Sequence, residues 1–230
     1  TIQYLLENYG RDAEAATDPN LALLNLLLDT RTFYILPRHT PDGAERVMTE
    51  PRRLRSSTRP YPTEEDKDGL IQQDLDGDGV IRQMRVEDPN GDWKASASEP
   101  RLLIKRLPED YGGRYYRLYP EAVVRNYDGY MLKIPPAKEG LDLNRNYPFD
   151  WTPDNEQQGA GPLPLSEPET RAVAEFWVKH RNITGSQSYH TFSGVILRPY
   201  SGKPDEAFPS PDLNMYKLIG KRGTECTGYP

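Results

Sequence analysis

The sequence predicts an α/β sandwich, and three observations carry the prediction. Its 230 residues suffice for one sizeable core, and no compositional boundary marks a second domain. Stretches with helical spacing alternate with short apolar runs rich in β-branched and aromatic residues. Between about Glu50 and Arg114 the polar excess rises, as expected of a solvated insertion on a conventional core.

The elements follow in order. Ile2, Leu5, Leu6 and Tyr9 have the i, i+3, i+4, i+7 spacing of a core-facing helix, which Gly10 stops. Asp18 and Pro19 open a second helix, and Leu21, Leu23, Leu24, Leu26, Leu27 and Leu28 make it apolar almost all round, which predicts deep packing. Residues 32–36 (T-F-Y-I-L) predict a buried strand ended by Pro37 and followed by a turn at 39–43. Residues 80–86 alternate like a strand, whereas 111–130, rich in Tyr and Arg, read as an ordered surface loop. Ser166-Glu167-Pro168-Glu169 has the form of a capping box opening a helix that runs to near His180, with Val173, Phe176 and Trp177 on its buried face. Residues 183–189 and 195–197 read as two further strands.

Charge and composition narrow the partners. A net charge of -6 argues against nucleic acid or an anionic membrane surface. Arg52, Arg53, Arg55 and Arg59 form a local basic run, but no aromatic residues interleave it and an acidic segment follows, so it reads as a solvated loop. No apolar run reaches membrane-spanning length and no signal peptide is visible; localisation stays open. The single cysteine, Cys226, excludes an internal disulfide.

Three stretches carry chemistry. In Asp74-Leu75-Asp76-Gly77-Asp78-Gly79-Val80 the alternate aspartates have calcium-loop spacing, with Gly79 at the sharp turn and the Val80 carbonyl able to complete an oxygen shell. Arg85 occupies the twelfth position, where a bidentate Glu belongs, and Glu64, Asp66 and Asp68 before Gly69 repeat the pattern upstream. In Gly140 to Trp151, Asn144 and Arg145 fall on a loop closed by Pro148, and an Asn-Arg pair can grip a carboxylate through a planar fork plus an uncharged donor. Of the three histidines, His39 in a turn and His180 at a helix end have structural explanations, whereas His190 follows a strand and projects where α/β proteins place their sites.

The ordered set Thr40-Pro41-Asp42-Gly43, Asp142-Leu143-Asn144-Arg145-Asn146, Ser166-Glu167-Pro168-Glu169 and Tyr189-His190-Thr191-Phe192 resembles the zinc metallocarboxypeptidases, over most of the chain outside an insertion at about 52–138. The resemblance implies a carboxypeptidase A-like fold: a three-layer α/β sandwich with a mixed, mostly parallel central sheet, here interrupted by an acidic, loop-rich insertion. It implies zinc, with His190 as the distant histidine ligand, and peptide C-termini as substrate. By the same resemblance Asn144 and Arg145 clamp the terminal carboxylate, Asp142 orients a zinc-bound imidazole, Phe192 lines a substrate subsite and Arg85 stabilises the oxyanion.

The departures are as definite as the matches. No H-x-x-E occurs: the third residue after His39 is Asp42, after His180 it is Ile183, and after His190 it is Ser193. Thr40 stands where the family has Asn, no counterpart of the general-base Glu is present, and Tyr229 is no safe stand-in for the family's substrate-capping tyrosine. The expectation is a single incomplete peptidase domain over 1–230, an internal portion of a zinc carboxypeptidase and inactive by itself. The alternative is a degenerate homologue, a calcium-stabilised module that binds peptide C-termini without cutting them.

Overall fold

Helical spacing at the start of the chain produces α1 (Ile2–Asn8), after which Gly10 takes a left-handed φ of +75° and ends the helix. The computed structural model describes residues 2–11, 20–51, 54–63, 65, 67–190, 193–200 and 202–230. The cap at Asp18 and Pro19, the arginines Arg52 and Arg53, the acids Glu64 and Asp66, and the motif residues Thr191 and Phe192 lie outside the described residues. The chain forms two units, Thr1–Lys179 and His180–Pro230.

In the first unit α2 (Leu21–Thr30) buries only Leu21 and Leu24, while Leu23, Leu26 and Leu27 are exposed, so the deep packing expected of its leucines is not found. Residues 32–36 form no strand and their apolar side chains are exposed. Strand composition describes a chain that fits a pleated, half-buried surface; it does not supply the neighbouring strand. Where a turn was expected at 39–43, Pro41 instead takes the first position of α3 (Pro41–Thr49), which needs no N–H from that residue.

The segment read as a polar insertion contains the strands. β1 (Gly69–Gln72) pairs with β6 (Ala122–Arg125), and β2 (Gln83–Glu87), β3 (Trp93–Ala95), β4 (Leu103–Lys105) and β5 (Tyr116–Pro120) form a sheet ordered β2-β5-β3-β4. Every ladder is antiparallel, and the one parallel pairing among the described residues is an isolated bridge between Tyr61 and Glu139. Thus 111–130, expected to be loop, supplies β5 and β6. The sheet is held by cross-strand pairs more than by a deep core: Trp93 faces Lys105 in register, and the Lys105 ammonium lies 4.3 Å from the indole centroid. Buried Glu121, at the corner between β5 and β6, accepts from the backbone N–H groups of Leu75 and Arg82 and so brackets the aspartate loop at both ends.

The most completely buried part of the first unit is built around residues 139–170. Leu141, Leu143 and Ala160 are buried with Asn146, Glu167 and Thr170, all at most 1% exposed, so this core is as much polar as apolar and stands on its hydrogen bonds. It leads into α4 (Pro168–Lys179). The expected capping box does not form, because the Ser166 hydroxyl donates to Glu167 Oε1 at 2.7 Å and accepts from Asn146 Nδ2 at 2.9 Å. Phe176 and Trp177 are partly exposed, and the helix is anchored instead by Thr170 near its start.

The second unit holds α5 (Ser210–Thr227), closed by Gly228 in the left-handed region at φ +73°. Residues 183–189 and 195–197 form no strands in it.

Candidate functional site

Two leucines aim the candidate clamp. Leu141 and Leu143 point into the core, so a 3-10 turn over Leu143–Arg145 presents exposed Asn144 and half-exposed Arg145 outward. Asp142 starts the turn: its Oδ1 accepts from the Asn144 N–H at 3.0 Å and its own N–H donates to the Gly159 carbonyl at 3.0 Å. The close approach needs glycine, since a Cβ at Gly159, where φ is +83°, would stand 2.8 Å from the Gly140 carbonyl and 2.9 Å from the Asp142 nitrogen.

The other carboxylate oxygen of Asp142 receives a fork. Arg55 donates to Oδ2 through Nε at 2.9 Å and Nη2 at 2.7 Å. Four residues on, Arg59 forks Glu167 through Nε at 2.9 Å and Nη2 at 2.7 Å. Burial alone would raise the Glu167 carboxyl, but the Arg59 fork and the Ser166 hydroxyl outweigh it and hold the group below its ordinary value. Arg55 and Arg59 thus stay exposed on a loop, as the basic run predicts, but each also reaches a buried acid, Asp142 and Glu167. The Arg145 side chain makes one hydrogen bond, from Nη1 to the Asn144 carbonyl at 3.3 Å within its own turn, and no carboxylate among the described residues pairs with it.

The other expected site residues fall elsewhere. Arg85 lies exposed on β2 with its guanidinium 5.2 Å from the Tyr116 ring centroid, and no hydrogen bond or ion pair joins it to the turn. His190 is exposed in the second unit, its Nε2 3.5 Å from the Ser188 hydroxyl. His39 bonds the Tyr147 hydroxyl through Nε2 at 3.0 Å; burial lowers its pKa against an opposing pull from Glu169. Asp74, Asp76 and Asp78 each bring one oxygen to within 4.8 Å of the others, Val80 donates its N–H to Asp78, and Arg82 forks Asp78. The Gly79 N–H, with those of Gly77 and Asp78, holds the Asp74 carboxyl below its ordinary value.

That aspartate group is the one convergent set of three or more His, Cys, Asp or Glu among the described residues, and its ligands are all hard oxygens. Zinc in a catalytic site needs three protein ligands of the nitrogen, sulfur and carboxylate kind. The residues present do not fit a zinc site, because His190 belongs to no group of three or more such side chains among the described residues.

The sequence profile of the family described as zinc carboxypeptidase, Peptidase_M14, matches residues 1–228. The chain belongs to the zinc carboxypeptidases. Pairwise similarity to other members of this family is local: human Carboxypeptidase A6 is 39% identical over 71 residues, which make up 28% of this chain and 16% of that protein. Rat mast cell carboxypeptidase A is 38% identical over 68 residues (26% of this chain, 16% of its own length), and human Carboxypeptidase O 33% identical over 81 (32% and 22%). The chain thus matches less than a quarter of the length of these relatives. No solved structure matches it. Membership in the zinc carboxypeptidases carries with it an α/β fold of carboxypeptidase type. No described helix is long and apolar enough to cross a membrane.

Proposed function

We propose that this chain is the carboxylate-holding portion of a zinc-dependent carboxypeptidase, with Asn144 and Arg145 gripping the C-terminal carboxylate of a peptide. The observation that carries the reading is the clamp itself: a fixed turn that presents an amide and a guanidinium with no acid among the described residues to neutralise it. A fork of this kind meets both oxygens of a carboxylate, which an internal peptide bond cannot offer, and so favours a chain end over a mid-chain amide. Asp142 orders the turn through Oδ1 and holds Arg55 through Oδ2, and one acceptor site on Oδ1 remains for the N–H of a metal-bound imidazole. Arg55, not Arg85, is the second guanidinium in this reading, since it alone of the two contacts the clamp turn. His190 is assigned as one ligand of a metal set completed by residues other than those described. The chain is assigned to a single incomplete domain with the three-layer sandwich and mostly parallel sheet of carboxypeptidase type.

The test has two parts. Titration calorimetry of the 230-residue chain with N-acetylated tripeptides is expected to show binding of the free acids and little of the amides. Peptide turnover, with or without added zinc, is expected to be nil, since one histidine cannot hold the metal. Chelator-sensitive hydrolysis by this chain would overturn the assignment of the remaining metal ligands to residues other than those described.

A second reading, a calcium-stabilised module that binds termini without cutting, is favoured by the three aspartate oxygens within 4.8 Å and by the Glu121 bracket around their loop. At about a hundredfold excess over Kd calcium should add ~2.7 kcal/mol, or roughly 5–10 °C in Tm. Asp74→Asn should abolish the shift. A Tm indifferent to calcium would remove this site.

A further inference from the structure

The amide of Asn146 is fully buried and wholly used, although its chain neighbours Asn144 and Arg145 face outward. Nδ2 donates to the Ala160 carbonyl at 2.8 Å, the Leu163 carbonyl at 3.1 Å and the Ser166 hydroxyl at 2.9 Å. Oδ1 accepts from the Glu167 N–H at 3.2 Å and the Thr170 hydroxyl at 2.7 Å. Its backbone closes the clamp turn through a bond to the Leu143 carbonyl at 3.2 Å and receives the Leu165 N–H at 2.7 Å. One residue therefore fixes the turn to the start of α4.

Glu167 stands at the other end of that link. It is 1% exposed, and its carboxylate is satisfied by the Arg59 fork on both oxygens and by the Ser166 hydroxyl on Oε1. The same segment sends Arg55 to Asp142 at the opposite side of the turn. Two forks, four residues apart, thus seize a buried acid on each side of the clamp. Neither Glu167 nor Arg59 hydrogen-bonds Asn144 or Arg145, so neither is placed to touch a ligand through them; their effect must pass through Ser166 and Asn146 to the turn.

We propose that Arg59 and Glu167 are positioning residues for the carboxylate clamp, acting through Ser166 and Asn146 to set where the Asn144 and Arg145 donors stand. A fork tolerates little displacement, because both of its hydrogen bonds depend on one planar geometry. The inference rests on the reading that Asn144 and Arg145 bind a terminal carboxylate.

The experiment uses the 230-residue chain, with N-acetylated tripeptides as free acids and as C-terminal amides, in the wild type, Glu167→Gln and Arg59→Lys. Gln keeps the size and loses the charge, and Lys keeps the charge and loses the fork. Each variant is expected to lose roughly ten- to hundredfold in affinity for the acid, the effect of an ångström-scale displacement of a binding group, with amide affinity unchanged. Amide hydrogen exchange of the same proteins should quicken at Asn144 and Arg145 while α3 and the β2-β5 ladder keep their protection. Equal weakening of acid and amide binding, or protection lost everywhere together, would mean a merely structural pair and overturn the proposal. So would unchanged acid affinity with unchanged exchange. A wild type that does not discriminate acid from amide would instead remove the clamp reading, and the exchange experiment would still decide whether Glu167 holds the turn. If Glu167→Gln fails to fold, Arg59→Lys carries the same test with the buried carboxylate intact.

Discussion

Arg145→Ala is expected to lower affinity for a peptide acid about a hundredfold, ~2.7 kcal/mol, and to leave the amide untouched. The figure lies within the range of about 2–5 kcal/mol for truncating one member of a hydrogen-bonded charge pair, at its lower side because Arg145 is half-exposed and screened by salt. Stability should hardly change, since the guanidinium bonds only the Asn144 carbonyl of its own turn. Arg145→Lys should fall between, as it keeps the charge but not the planar fork. Asn144→Ala should cost about 1 kcal/mol in binding, the net worth of one uncharged donor. Calorimetry with matched acid and amide peptides measures all three. If Arg145→Ala still discriminates acid from amide, the clamp lies elsewhere.

How far the sequence could anticipate this site depended on whether the relevant partners were near in the chain. The placement of Asn144 and Arg145 was legible because a short apolar run delivers them to a loop closed by Pro148, and Leu141 and Leu143 are buried while Asn144 is exposed. Arg55 and Arg59 were not, because their carboxylate partners lie 87 and 108 residues away and nothing local distinguishes a strap from a solvated run. Asn146 carries no mark of burial either: its role exists only once residues 160–170 fold back over it. The strands were misplaced for a related reason. Residues 32–36, 183–189 and 195–197 have strand composition but join no strand ladder among the described residues, whereas β3, with the sequence W-K-A, has little strand signal and is held in register by β4 and β5. The helix α5 was the plainest signal passed over, with Pro211 and Asp212 in its first turn and Gly228 at its end. Polarity set the segment at about 52–138 apart, but it could not reveal that charges within it pair, as Arg114 does with Glu87 and Arg117 with Asp88.

Asn146→Ala should be among the most destabilising single substitutions in the chain, costing about 3–5 kcal/mol. The estimate follows from what the amide leaves behind. The buried Glu167 N–H loses its side-chain acceptor, the Ala160 and Leu163 carbonyls keep only Trp151 Nε1 and the Ser166 N–H, and the Thr170 hydroxyl keeps only the Glu167 carbonyl. Alanine fills none of the space and meets none of these groups. Asn146→Asp separates the two halves of the argument: it preserves the shape and the acceptor but, once ionised, removes the donors and sets a second carboxylate in the network of Glu167. It should therefore be destabilised further as pH rises through the titration of the new acid, whereas Asn146→Ala should show no such trend. Exposed Asn144→Ala is the control, expected to lie within about 0.5 kcal/mol of wild type. Urea unfolding followed by circular dichroism at several pH values reads all three. An Asn146→Ala midpoint equal to that of wild type would mean that water replaces the amide, and the clamp would then stand on Leu141 and Leu143 alone.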